Sequence, residues 1–202
     1  EMCIRDRGNA IHIVKHFLPD LRSTCHKIEA KIYKINDVKK YEPRFYWSEN
    51  RKLVWSDFKS VNKPELFEDE AAVTYCGFGY YSNVTNALGK IEIKVFNVFQ
   101  CKKSWLDTFD KNAQLLVHEQ THFDLCEVYT RKFRKTIKDL PINNFNMNND
   151  KVESAFRRLW DEYNHKQFTY DEETVHGTIP EKQNEWNLLI LKELQGMDEF
   201  KE

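Results

Sequence analysis

The sequence predicts an α+β fold in which a small, mainly antiparallel sheet packs on one long helix and two further C-terminal helices complete the core. Short runs of aromatic and β-branched residues are concentrated in the first half of the chain, up to Phe99. The second half carries three stretches in which apolar residues recur at helical spacing. Strands followed by helices, rather than alternating with them, are typical of α+β domains.

Size and composition indicate an ordinary globular chain. It has 202 residues and a formal net charge of -1, with acidic and basic residues interleaved. A chain of this length can bury a core without disulfides, and a near-neutral surface gives no reason to expect nucleic acid as a partner. No apolar run reaches the roughly 18 residues of a membrane helix. The five cysteines form no Cys-x-x-Cys pair, which disfavours a thiolate zinc site.

The domain organisation follows from where these patterns begin. We place one domain at residues 45–195 and treat residues 1–44 as a poorly defined N-terminal appendage. Residues 1–7 resemble the translation of a sequencing-adapter remnant, so they are set aside as an artefact. The oligomeric state cannot be read from these patterns.

The strand predictions rest on short apolar runs. Residues 45–47 and 53–55 are aromatic and apolar runs separated by a short polar segment, which predicts a hairpin. Residues 72–81 are rich in aromatic and β-branched side chains and predict another strand. Residues 90–99 begin with strict alternation of charged and apolar side chains, which predicts a half-buried strand.

The helix predictions rest on apolar residues that recur at helical spacing. Residues 110–140 contain no glycine or proline, so we predict a long helix with its N-cap at residue 110 and its end before Pro141. A second helix is predicted over residues 151–167, a loop over 170–180, and a last helix over 181–194.

The chemistry is carried by His118 and His122 on the long helix. Four residues apart, they differ by about 40° around the axis, so both imidazoles leave one face and can bind one tetrahedral zinc ion. Glu119 is adjacent, and we expect it to act as the general base that takes a proton from zinc-bound water. The motif predicts a zincin-like domain, with Zn²⁺ as its cofactor.

A zinc site of this kind needs a third protein ligand, for which the residues leave three candidates. Glu153 and Glu162 lie on the next predicted helix, where glutamate is expected to face solvent. His176 lies in a polar loop and is followed by Gly177, which frees the backbone to approach another element closely. We therefore favour His176.

The metal motif is part of a wider resemblance. The segment from His118 to Asp124, continuing through Glu127 and Arg131, resembles the signature of a bacterial family known as domain of unknown function 922. Other matching elements, spread over roughly residues 45–195, are Leu53 to Phe58, Ser104-Trp105, Tyr170-Asp171, Thr174, His176-Gly177, Gln183 and Trp186. The resemblance implies a secreted or periplasmic zinc-dependent protease, and its Thr-x-His-Gly element supports His176 as a ligand.

Further roles are assigned to residues near the predicted metal. Tyr170 is placed in the catalytic set as a hydrogen-bond donor to a developing oxyanion, with a packed structural tyrosine as the alternative. Asp124 and Asp171 are candidates for orienting the ligand imidazoles, or are surface carboxylates. Cys126, near the metal face, is interpreted as a small buried apolar residue.

The resulting hypothesis is a zinc-dependent metalloprotease. His118, His122 and His176 hold the metal, Glu119 is the base, and the partner is a peptide or protein substrate that extends along a sheet edge. Two alternatives remain: a zinc hydrolase acting on a non-peptide or cell-wall amide, and a non-catalytic binding module stabilised by zinc. Glu119 argues against the binding module, because a structural site has no use for a base.

Overall fold

The computed structural model describes residues 43–63, 70–84, 91–140 and 149–202, and the predicted appendage at residues 1–44 lies almost wholly outside them. Within this part, all strand pairs are antiparallel and precede the helices, so the predicted α+β fold is confirmed. No helix in the described ranges is long and apolar enough to cross a membrane. The strands are β1 (Arg44–Tyr46), β2 (Ala72–Val73), β3 (Cys76–Val84), β4 (Ile91–Gln100) and β5 (Trp105–Leu106), and the helices are α1 (Ala113–Asp139), α2 (Asn149–Thr174) and α3 (Pro180–Gly196).

The sheet covers one side of the long helix. Its strand order is β1-β4-β3, and β3 pairs with β4 from Cys76↔Phe99 to Val84↔Ile91. The two-residue strands β2 and β5 pair separately. Along β4, alternate residues Val95, Asn97 and Phe99 are buried, as expected for a strand with one face on the core. The predicted strands 72–81 and 90–99 are thus confirmed, the first divided between β2 and β3.

Helix α1 is the centre of the core and contacts β3, β4, α2 and α3. Phe123, Val128 and Phe133 on it are fully buried. It begins two residues later than predicted, because the side chain of Asn112, not Asp110, accepts the hydrogen bond from the Leu115 amide at 2.8 Å. Its end at Asp139 agrees with the predicted stop before Pro141.

The predicted hairpin over residues 45–55 is wrong in its strands, although the chain turns where predicted, with a single antiparallel bridge between Ser48 and Arg51. Strand β1 pairs with β4 instead, and residues 55–57 form a short 3-10 turn. The carboxylate of Asp57 accepts a hydrogen bond from the Val54 amide at 2.9 Å and both of its oxygens bind the Arg51 guanidinium. A side chain that satisfies the local backbone in this way competes with strand pairing, which explains why the apolar run does not form a strand.

Helix α2 ends at Thr174, seven residues beyond the predicted end at residue 167. It therefore includes Tyr170 and Asp171, which the sequence had placed in a loop. The helix stops because the next three residues adopt positive φ angles, 46° at Val175, 53° at His176 and 79° at Gly177. Four residues with helical spacing consequently share one face of its last two turns: Gln167, Tyr170, Asp171 and Thr174.

Candidate metal centre

The two histidines of α1 converge as their spacing predicts. Their Nε2 atoms lie 3.1 Å apart and the two rings are nearly perpendicular, at 84°. His118 is only 2% exposed, and the side chain of His122 is 14% exposed. Two imidazole nitrogens thus meet in a small, largely buried space at the interface of α1 and α2.

Asp171 of α2 adds a third donor atom to this pair. Its Oδ1 lies 2.9 Å from Nε2 of His122 and 3.2 Å from Nε2 of His118. In a tetrahedral zinc site with bonds of about 2.0–2.1 Å, neighbouring donor atoms are roughly 3.3 Å apart. The three donor atoms are slightly closer together than that, and together these residues could hold a metal ion.

One carboxylate oxygen at this centre is left without a partner. Oε2 of Glu119, a residue that is 2% exposed, forms no hydrogen bond within the described part of the chain, whereas Oδ1 of Asp171 is paired only with the two imidazoles. A buried carboxylate oxygen without a partner is costly. A divalent cation and a coordinated water would supply the missing partner, so the residues fit a metal.

Glutamine side chains orient both imidazoles from behind. Nδ1 of His122 lies 2.6 Å from Oε1 of Gln167, whose amide nitrogen donates to the His122 carbonyl oxygen at 3.0 Å. That second bond fixes which end of the amide faces the ring, so Nδ1 is the donor and Nε2 is the ring nitrogen that faces the cluster. Nδ1 of His118 lies 3.2 Å from Oε1 of Gln183 on α3. Such outer hydrogen bonds are typical of metal-binding histidines.

The electrostatics of the cluster favour added positive charge. Burial opposes ionisation of Asp171, but His122 and His118 outweigh it and hold the pKa of that carboxyl well below its usual range. Burial likewise lowers the pKa of His122, but Asp171, with a smaller contribution from Glu119, raises it to about 10. When no metal ion is bound, the cluster therefore holds a protonated His122 beside an ionised Asp171. A metal ion would take the place of that proton.

Tyr170 is placed behind the imidazoles. Its ring stacks on His118 at 4.7 Å, and its hydroxyl lies 2.9 Å from Oε1 of Gln183 and 3.2 Å from the His118 carbonyl oxygen. The residue is fully buried, and burial raises the pKa of its hydroxyl well above the usual value. These contacts support the structural alternative, and the role as oxyanion donor gains no support from them.

His176 is not brought into the cluster. Its imidazole is half-exposed and Nδ1 lies 3.0 Å from Oε2 of Glu70. The close approach predicted for this turn is made by Gly177, where an added Cβ would lie 2.7 Å from Cβ of His118. Asp171 occupies the place predicted for His176. The sequence analysis named Asp171 as a candidate for orienting the imidazoles and not as a third donor, because it ended α2 too early and left Asp171 in a loop.

The comparisons with known proteins bear on the same part of the chain. A family model described as Bacterial protein of unknown function (DUF922) matches residues 99–177. That segment belongs to the DUF922 family. It contains α1, α2 and the turn at residues 175–177, whereas the elements at residues 53–58 and 183–186 lie outside it. Neither a curated protein nor a solved structure matches the chain, so the likeness to zincins stays a prediction.

Several motif residues of the DUF922 segment support the fold around the centre. The hydroxyl of Ser104 accepts from the Tyr75 amide and donates to the Gln100 carbonyl, each at 3.0 Å. The hydroxyl of Thr174 donates to the Tyr170 carbonyl at 2.7 Å and accepts from the Gly177 amide at 3.2 Å. Thr174 therefore ends α2 in the conformation that presses Gly177 against the centre.

The remaining candidates lie away from the cluster. Asp124 accepts from the indole nitrogen of Trp47 at 2.6 Å, so it fastens the segment after β1 and does not touch the imidazoles. Glu153 and Glu162 each pair with an arginine one turn away on α2. Cys126 is a fully buried free thiol, in agreement with its interpretation as a small apolar residue.

Proposed function

We propose that this chain is a zinc-dependent hydrolase that cleaves amide bonds in peptides. His118, His122 and Asp171 hold the metal and Glu119 is the general base. One observation carries the proposal: three donor atoms with zinc-like separation lie beside a buried glutamate that keeps one carboxylate oxygen unpaired. Two of the three ligands predicted from the sequence are kept, and Asp171 replaces His176.

The chemistry follows from where these groups lie. A zinc ion bound there would polarise the scissile carbonyl and acidify the attacking water. Glu119 accepts one proton of that water while the water oxygen bonds to the carbonyl carbon. The electron pair of the C=O bond moves onto the carbonyl oxygen. When the carbon–nitrogen bond breaks, Glu119 gives the same proton to the leaving nitrogen. The products are a carboxylic acid and an amine, and the proton that the acid then loses goes to the amine or to solvent.

The number of donors favours catalysis over a structural role. Structural zinc sites are closed by four protein ligands, whereas catalytic sites keep one position open. The donor group found within the described residues has three members. The glutamine contacts to both Nδ1 atoms support metal binding, because they turn both Nε2 atoms towards one point.

The substitution Glu119→Gln tests the proposal. The amide has almost the same shape but cannot accept a proton, so we expect parental zinc content and a loss of hydrolysis of about 10²–10⁴-fold or more. Zinc is measured by elemental analysis, and hydrolysis with a peptide library and with cross-linked cell-wall fragments. Glu162→Gln on the exposed side of α2 is the control and should retain activity. A Glu119→Gln variant that holds zinc and cleaves at the parental rate would show that Glu119 is not the base.

A further inference from the structure

The amide of Gln183 can face His118 in two ways, and only one of them suits a metal ligand. An amide oxygen accepts hydrogen bonds, whereas an amide nitrogen donates them. With the oxygen towards Nδ1 of His118, Nδ1 is the donor and Nε2 is left for the metal. With the nitrogen towards Nδ1, the ring proton would lie on Nε2, where the metal has to bind. The orientation of Gln183 is therefore a condition for metal binding.

The contacts of Gln183 define that orientation. The residue is 3% exposed, and its Oε1 lies 3.2 Å from Nδ1 of His118 and accepts from the Tyr170 hydroxyl at 2.9 Å. At the other end, Nε2 donates to Oδ1 of Asn187 at 2.8 Å and to the Thr121 hydroxyl at 3.3 Å. The oxygen end thus faces the ligand, and the nitrogen end faces α3 and α1.

Asn187 is the contact that distinguishes the two ends. A hydroxyl group can donate or accept, so neither Tyr170 nor Thr121 alone decides which end of the amide it meets. Oδ1 of Asn187 can only accept, and it therefore requires the nitrogen of Gln183. The Thr121 hydroxyl, whose single hydrogen can also reach the Val117 carbonyl oxygen, lies 2.8 Å from the same Oδ1.

The other proposed histidine ligand needs no such outside help. The amide nitrogen of Gln167 donates to the carbonyl oxygen of His122 itself, at 3.0 Å, so the backbone of α1 orients that amide. The equivalent carbonyl oxygen of His118 lies 3.2 Å from the Tyr170 hydroxyl instead. The nitrogen end of Gln183 consequently depends on a side chain of α3.

We propose that Asn187 is a positioning residue for the metal centre. Its side-chain oxygen holds Nε2 of Gln183, so that Oε1 faces Nδ1 of His118 and the metal-binding Nε2 of His118 faces the cluster. This inference rests on the proposed zinc site, although Asn187 contacts neither metal nor substrate. The match to the DUF922 family ends at residue 177. The functional unit therefore extends into α3, to residue 187.

The test compares two asparagines of the same helix. Asn187→Leu removes the acceptor and excludes a water that could replace it, and Asn187→Asp keeps acceptors that cannot donate. Asn184 is exposed on α3, so Asn184→Leu and Asn184→Asp are the matched controls for helix propensity and for added charge. Zinc affinity is measured by competition with a chromophoric chelator. The melting temperature of each metal-free protein reports on the fold.

The acceptor, and not the size of the side chain, should determine zinc affinity. We expect Asn187→Leu to bind zinc about tenfold more weakly than Asn184→Leu, with similar melting temperatures for the two metal-free proteins. Asn187→Asp should bind zinc at least as tightly as Asn184→Asp, because its carboxylate oxygens accept from Gln183 as the amide oxygen does. Rescue of this kind is not expected of a side chain that merely fills space.

The outcomes separate this inference from the proposed function. Equal zinc affinity of Asn187→Leu and Asn184→Leu overturns the role of Asn187 and leaves the metal centre standing. Equal weakening in Asn187→Leu and Asn187→Asp also overturns it, because the acceptor would then be irrelevant. Should Asn187→Leu fail to fold, Asn187→Ala replaces it and is judged against Asn184→Ala in the same way. A parent that holds no zinc ends the proposed function and this inference together.

Discussion

Helix α1 carries two buried polar regions that are equally hidden from solvent but differently satisfied. His118 and Glu119 in its first half and Glu127 and Arg131 in its second half are each 2% exposed. In the second half, Glu127 binds the guanidinium groups of Arg131 at 3.2 Å and Arg134 at 3.0 Å. Both arginines also donate to backbone carbonyls. Opposite charges are thus compensated within the chain.

The first half of α1 differs from the second in the charge of the buried atoms that lack a partner. The buried atoms without partners near the arginines are the Arg134 Nε and the neutral amide oxygen of Asn97. The one at the histidine cluster is Oε2 of the carboxylate of Glu119, while the carboxylate of Asp171 is paired only with the two imidazoles. Equally buried polar groups thus differ in kind along one helix. A network whose opposite charges are paired is costly to break, and a cluster with an unpaired buried carboxylate oxygen is suited to bind a cation.

The largest expected effect would come from opening the closed network. Glu127→Ala leaves the buried guanidinium of Arg131 and the partly buried one of Arg134 without their carboxylate, so we expect a loss of about 3–5 kcal/mol in the free energy of unfolding. Urea denaturation measures it, with Glu199→Ala at an exposed ion pair as the control. Zinc content per folded molecule should not change. A loss below about 1 kcal/mol would mean that the network contributes no more than a surface pair.

The second effect concerns the turn that supports the centre. Gly177→Ala puts a Cβ at a residue with φ of 79° and within 2.7 Å of Cβ of His118. We expect a loss of about 1–3 kcal/mol together with weaker zinc binding, because His118 must move. Gly196→Ala is the control, since a Cβ there meets nothing within 4 Å. Equal stability of the two variants would contradict the close packing of the turn on His118.

A third effect should appear in metal affinity and hardly in stability. Gln167→Leu removes the acceptor that fixes Nδ1 of His122, and losing such a contact typically weakens metal binding about 10–100-fold. Competition with a chromophoric chelator measures the affinity, and thermal unfolding confirms the fold. An unchanged zinc affinity would show that Gln167 does not orient the ligand.

The smallest effect is expected at the surface of α2. Glu162 pairs with Arg158 at 2.8 Å, and both side chains are largely exposed. Glu162→Ala should change the free energy of unfolding by about 0.3–0.5 kcal/mol and leave zinc affinity as it is. A variant that loses zinc would instead make Glu162 the third ligand, which is one of the alternatives that the sequence left open.

The sequence predicted what depends on local periodicity. The α+β order, the three helices and the convergence of His118 and His122 all follow from residue spacing within single elements. Asp171 was missed as a donor because the end of α2 is set by three residues with positive φ, and valine and histidine give no sign of that conformation. An α2 extended by two turns would have aligned Gln167 and Asp171 on one face.

What the sequence could not supply is contact between elements. The third donor depends on how α2 packs on α1, and the orientation of His118 depends on Gln183 from α3. The Thr-x-His-Gly element was rightly singled out, but its glycine, rather than its histidine, makes the closest approach to His118. A sequence motif identifies the residues of a site more readily than it identifies which of their atoms make the contacts.

The most direct measurement is zinc content after mild chelation in the parent, in Asp171→Asn and in His176→Asn. Because Asp171 supplies the third donor atom and His176 pairs with Glu70, we expect one zinc per chain in the parent and in His176→Asn. We expect little or none in Asp171→Asn, since two histidines hold zinc weakly. Retention by Asp171→Asn with loss from His176→Asn would contradict the ligand set, and a parent that holds no zinc even after incubation with the metal would contradict the centre itself.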